Sequence, residues 1–273
     1  MNLQNIFNQI EKSDPEVYER LNGRREVIRN FTRFAGKVSV AAMPIALGTM
    51  LQKAYGQTPT NAIDILNYAL NLEYLEAAFY EKGLGTADLI EGDEDKAALT
   101  IIGGHETAHV NYIKTAISAA GGTPVDSPEF DFTAAGAFPD VFTNYDTFLA
   151  VAQTFEDTGV RAYKGQAGTL MASNEVLLAA LSIHSVEARH ASHIRQMRKA
   201  RGASVKPWIT GSDSGIGAAV QASYNGEEAT TQANVTITNI GNSGISDSAA
   251  SEAFDEPLSF DEVVAIVTPF FAV

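Results

Sequence analysis

The chain has 273 residues, 45% of them hydrophobic, which suffices for one sizeable domain with extensions. Its 33 acidic residues against 19 basic ones give a formal charge of -14, which excludes the basic face that nucleic-acid binding needs and leaves a surface that attracts cations. Cysteine is absent, so disulfides, thiolate catalysis and iron–sulfur clusters are excluded, and any metal must be held by His, Asp and Glu, a donor set that favours Fe, Mn or Zn.

Residues 1–56 differ from the rest. They carry eight basic and five acidic residues, a balance of +3 that leaves -17 for residues 57–273. Gly23-Arg24-Arg25-Glu26-Val27-Ile28-Arg29 precedes a weakly apolar run, Val38 to Leu51, and Ala54-Tyr55-Gly56 offers small residues before a cut at Gln57. This order resembles a twin-arginine export signal and predicts a periplasmic or otherwise exported protein. The apolar run is about 14 residues, short of the ~20 that span a bilayer, so no stable membrane insertion is expected after processing. Val27-Ile28 departs from the Phe-Leu that such signals prefer.

Residues 57–202 read as the main domain. Helical periodicity predicts four long helices near 60–82, 95–120, 143–171 and 174–201. A glycine-bearing loop, Gly83 to Glu94, joins the first two, and a tight turn at Ala172-Ser173-Asn174 joins the last two. Between the pairs lies Gly121 to Phe142, which can stretch to roughly 70 Å. A helix of ~25 residues is only about 38 Å long. Short, long, short connections predict an all-α four-helix bundle with one long crossover. Residues 203–273 form a loop-rich extension with one strand-like patch, Asn234 to Thr238, and a short terminal helix within Leu258 to Phe271 that docks back.

Two of the five histidines follow a glutamate by three residues, as Glu106-Thr-Ala-His109 and Glu187-Ala-Arg-His190. Residues three apart share a helix face. At about 100° per residue, Leu99, Ile102, Val110, Ile113 and Ile117 flank Glu106, and Ala180, Ile183, Ala191 and Ile194 flank Glu187. Glu73 sits among Leu66, Leu70, Ala77 and Tyr80, and Glu156 among Leu149, Ala152, Val160 and Tyr163. Each hairpin therefore supplies a Glu and then a Glu-x-x-His from the middle of an apolar stripe. Glu73 and Glu106 are also equidistant from the first loop, and Glu156 and Glu187 from the second, which puts each pair level. Four buried carboxylates would cost several kcal/mol each without compensation, and divalent cations provide it.

The segments Asn71-Leu-Glu73-Tyr-Leu-Glu76-Ala-Ala-Phe79-Tyr80, Glu106-Thr-Ala-His109 and Val186-Glu187-Ala-Arg-His190-Ala resemble the ferritin-like superfamily. The likeness is to the branch of desiccation-related and bacterial exported ferritin-like proteins, which Ala253-Phe-Asp-Glu-Pro-Leu258 also resembles. It covers 60–202 well and 252–271 loosely. It implies a dinuclear site at Glu73, Glu106, His109, Glu156, Glu187 and His190, holding two Fe ions or alternatively Mn. Two adjacent redox metals suit O2 or peroxide as the small-molecule substrate, in an oxidase, ferroxidase or peroxidase reaction of stress protection. The alternative is a non-catalytic stress protein whose metals staple the bundle; an oligomer is compatible with either.

Other residues carry weaker expectations. Glu76 is open to bridging metals, to acting as a base behind the ligands, or to local pairing. His184, one turn before Glu187, is a candidate support for a ligand. His105 and His193 read as structural, Tyr163 as core, and Asp157 as facing a neighbour or solvent. Arg195, Arg198, Lys199 and Arg201 complement the dipole of a helix end. Gly159, one turn after Glu156, stands where the Glu-x-x-His helices carry His and is expected to leave a coordination position open.

Overall fold

The computed structural model describes residues 61–272, apart from residue 239. The leader expected at 1–56 lies outside the described residues. Four long helices form: α1 (Ala62–Gly85), α2 (Asp93–Ala119), α3 (Tyr145–Leu170) and α4 (Asn174–Ala200). Asn61 caps α1 by accepting from the Asp64 amide, and Asn144 caps α3 by accepting from the amides of Asp146 and Thr147. Asp93, Glu94 and Asp95 open α2 and Arg198 and Lys199 close α4, each sign matching the helix dipole.

The short loops make α1–α2 and α3–α4 hairpins. Phe148, near the start of α3, stacks on Phe79 near the end of α1 at 4.7 Å and 7°. The Tyr145 hydroxyl donates to Asp95 at 2.8 Å, which puts the starts of α2 and α3 side by side. So α3 runs antiparallel to α1 and parallel to α2, and the connection between them must travel the length of the bundle. It does: Asn67 near the start of α1 accepts from the Val125 amide, and Phe132 packs on Phe79 near its end. The all-α bundle with a long crossover expected from the sequence is the observed architecture.

Three local expectations change. α1 continues through Gly83 instead of ending there. A Cβ on Gly83 would stand 2.3 Å from the Phe148 ring, so this glycine permits a close helix contact and does not break the helix. The strand patch shrinks to a two-residue ladder, β1 (Thr231–Gln232) with β2 (Val235–Thr236). Ala233 and Asn234 have positive φ and make the hairpin turn, so Asn234 lies in the turn and not in a strand. The terminal helix is confined to Phe260–Val267, and a 3₁₀ turn containing Pro269 follows it.

The extension after Gly202 wraps on α3 and α4. It carries a short helix α5 (Asp247–Ser251) and the terminal helix α6 (Phe260–Val267), which opens with a Ser259–Glu262 capping box. Leu258 donates its amide to the Arg161 carbonyl at 3.1 Å. A Cβ on Gly165 would lie 1.9 Å from the Leu258 carbonyl oxygen, so glycine is what lets this strand of chain lie flush on α3. Phe155 of α3 packs edge-on to Phe270 at 4.7 Å. Among the described residues no helix is long and apolar enough to cross a membrane.

Candidate metal centre

All six residues singled out in the sequence meet inside the bundle. Glu73, Glu106, Glu156 and Glu187 are fully buried, and His109 and His190 nearly so. They form two groups. Glu73, Glu106, His109 and Glu187 make one; Glu106, Glu156, Glu187 and His190 make the other. Within each group the donor atoms lie within 4.8 Å of one another, close enough to hold one metal ion. The glutamates of the two Glu-x-x-His motifs, Glu106 and Glu187, belong to both groups and therefore stand between them.

Both imidazoles turn Nδ1 inward. Nδ1 of His109 lies 3.1 Å from Glu73, 2.9 Å from Glu106 and 3.2 Å from Glu187. Nδ1 of His190 lies 2.8 Å from Glu106 and 3.2 Å from Glu156. Several of these atoms nevertheless lack a hydrogen bond of acceptable geometry: Oε1 of Glu106, Oε2 of Glu156, both oxygens of Glu187 and Nδ1 of His190. Buried polar atoms in native proteins are nearly always satisfied. Among the described residues no Lys or Arg pairs with these carboxylates. Orphaned hard oxygen and imidazole donors converging on two shared points are what a pair of first-row divalent ions requires, so the residues fit such a group.

The protonation pattern has the same origin. Burial, the largest influence, pushes Glu73 up to about 7, and raises Glu76 and Glu187 well above the ordinary carboxylate value. Burial would raise Glu106 too, but hydrogen bonds to His109 and His190 bring it down to about 2. Burial opposes charge on His190, yet Glu156 and Glu106 lift it to about 11; the carboxylates around His109 raise it likewise. Without metal, protons on the two imidazoles and on some of the carboxylates take the place of cations.

Two tyrosines hold the outer glutamates. The Tyr80 hydroxyl donates to Oε1 of Glu156 at 2.5 Å, and the Tyr163 hydroxyl donates to Oε1 of Glu73. Tyr163 is therefore more than core filler, and Tyr80, seven residues after Glu73, is a support that the sequence showed only as an apolar neighbour. Glu76 is buried beside the cluster but belongs to neither ligand group. Gly159 does not leave the expected opening. A Cβ there would stand 3.0 Å from Oε2 of Glu187 and 3.2 Å from Oε1 of Glu76, so carboxylates from α1 and α4 already fill the space.

The remaining histidines and charges take the following places. His184 turns Nδ1 to the Val160 carbonyl at 2.9 Å and supports α3 instead of a ligand. His105, read as structural, lies with Nδ1 2.9 Å from Nε2 of His190. His193 is exposed. Asp157 is buried against Arg195, at 2.5 Å, and the Tyr224 hydroxyl at 2.8 Å. Arg195 and Arg198 are likewise buried, and the extension covers them. Arg198 still lies in the last turn, where its charge matches the helix dipole, but both arginines also have acceptors of their own in the extension.

No curated protein matches the sequence. The ferritin-like domain family matches residues 61–200, the span of the four helices that carry the cluster, and the chain belongs to that family.

Proposed function

We propose that the cluster is a dinuclear metal centre, holding iron or alternatively manganese, and that the protein is a redox enzyme acting on O2 or peroxide. The observation that carries this reading is the pair of four-residue donor groups sharing Glu106 and Glu187, with buried oxygens that, among the described residues, no Lys or Arg meets. Glu73 and His109 would hold one ion, Glu156 and His190 the other, and Glu106 and Glu187 would bridge. Held there, two such ions would supply the electrons for reducing O2 or peroxide.

The chain's own contribution is positioning and exclusion of water. Tyr80 and Tyr163 fix the outer carboxylates, leaving the shared ones free of hydroxyl partners. The helix faces around the cluster are apolar, from Leu70, Leu99, Ile113 and Ile183. A cavity of about 20 Å³ lies beyond Tyr163, lined by Ala69, Leu72, Ile113, Ala180 and Ile183 among others. Its apolar lining suits an uncharged small molecule such as O2. The twin-arginine-like segment at 24–25 and the Ala253–Leu258 segment support export and a place in the desiccation-related branch, and with them a role in stress protection.

The test is rapid mixing of protein loaded anaerobically with two Fe(II) per chain against O2 and, separately, against hydrogen peroxide. The reading predicts oxidation of the bound iron far faster than of free Fe(II), with one oxidant preferred. Iron oxidised no faster than in a Glu187→Ala variant would reject it.

A further inference from the structure

We propose that His105 is a positioning residue for the metal centre: it accepts the Nε2–H of His190, fixes the tautomer that leaves Nδ1 of His190 free to ligate, and so makes the Glu156/His190 half the tighter of two inequivalent metal positions. The inference rests on the reading of the cluster as a metal centre.

The argument starts from the two nitrogens of His190. Nδ1 points at Glu106 and Glu156, so Nδ1 is the ligand atom. A neutral imidazole that ligates through Nδ1 carries its proton on Nε2. That nitrogen lies 2.9 Å from Nδ1 of His105, and the two rings are nearly parallel, 15° apart, with centroids at 5.2 Å. One proton lies between the two nitrogens. His190 donates it, so Nδ1 of His105 is bare and the proton of His105 sits on its outward Nε2, where the residue is exposed.

His109 is built differently. Its Nδ1 faces three carboxylates, but among the described residues its Nε2 has no protein partner. Partners of the non-ligating nitrogen orient a metal-binding histidine and raise its basicity, and losing one typically costs 10–100-fold in affinity. The two halves therefore share bridging carboxylates yet differ in how firmly each imidazole is aimed. His105 also ties α2 to α4, across a helix pair that no short loop joins.

The test is a titration of the metal-free full-length protein with Co(II), followed by calorimetry and by visible absorption. Wild type should bind two ions in two steps, the tighter lost on His190→Ala. His105→Ala should weaken the tighter step about 10–100-fold and leave the weaker step nearly unchanged. His105→Gln, whose side-chain oxygen can accept the same proton, should restore most of the loss; His105→Lys, which has no acceptor, should not. His105 is exposed, so these variants are expected to fold, and circular dichroism checks that. Unchanged constants in His105→Ala, an equal loss at both steps, or equal rescue by Lys and Gln would overturn the proposal. A wild-type protein that takes up no Co(II) would instead overturn the metal reading beneath it.

Discussion

Two regions of this molecule bury charge, and they do it in opposite ways. At the seam between the bundle and the extension every buried cation meets an acceptor. Arg161 is 1% exposed and donates to the carbonyls of Glu256, Ser223 and Asn225 while lying 2.6 Å from Glu227. Arg195 pairs with Asp157, and Arg198 donates to Gln153 and the Gly215 carbonyl. At the centre of the bundle, less than three helical turns from Arg161, four carboxylates and the nearby Glu76 converge with only two imidazoles among them. At the seam the buried cations are all matched, although Oε2 of Glu227 and Oγ of Ser223 keep no hydrogen-bond partner; the centre is short of positive charge. Under the proposed reading, metal ions make up that deficit.

The contrast breaks most severely at the shared carboxylates. Glu187→Ala removes a donor from both groups, so metal content should fall from two ions per chain to essentially none, as elemental analysis would read. Glu156→Ala should spare the Glu73/His109 half and retain about one ion. At the seam, Arg195→Leu leaves Asp157 buried and unpaired and should lower stability by ~3–5 kcal/mol in urea unfolding. Adding Asp157→Leu should recover much of that, because the pair is removed together.

The centre should respond with the opposite sign. In metal-free protein Glu76→Gln removes a buried unpaired carboxylate and should raise stability at pH 8 by roughly 1 kcal/mol or more. The pH dependence follows from the same groups. The folded-state values of Glu73, Glu76, Glu156 and Glu187 are raised, as are those of both imidazoles. Raised groups contribute stability that is fully present below the unfolded value and lost as pH rises through the folded one. Metal-free protein should therefore lose stability between pH 4.5 and about 7, the Glu73 window, and continue to lose it as the imidazoles deprotonate. Glu106, held down to about 2, contributes with the opposite sign, and its contribution fades only as pH falls below the ordinary carboxylate value. Metal-saturated protein should show the reverse trend over the same window, since protons compete with metal for the ligands. Melting temperatures at pH 5 and pH 8, with and without chelator, measure both slopes.

The smallest expected change in metal content separates the two regions. Gly165→Ala drives a methyl into the Leu258 carbonyl and should cost about 1–3 kcal/mol while loosening the extension. Metal stoichiometry should not change. If it does, the extension and the centre are one cooperative unit.

The same division governs what could be read in the sequence. The six converging residues were legible because helix periodicity is local: Glu106 and Glu187 sit mid-stripe, and equal distances from the turns set them level. The seam was not legible. Asp157 and Arg195 lie off the ligand stripe by roughly 80–100°, and Arg198 falls near the stripe but in the last turn of its helix. A segment with no periodicity of its own folds over all three, and periodicity cannot show that. Gly83 read as a helix end because composition cannot separate a breaker from a contact. His105 escaped because its partner is 85 residues away on another helix, a distance at which spacing carries no signal.

The central claim is that the carboxylate cluster is completed by two metal ions. Elemental analysis of the full-length protein after equilibration with Fe(II) or Mn(II) and removal of excess tests it most directly, with Glu187→Ala and Arg195→Leu in parallel. The account predicts about two ions per chain in wild type and in folded Arg195→Leu, and none in Glu187→Ala. Wild-type protein that emerges folded and metal-free, with a melting temperature indifferent to either ion, would contradict it.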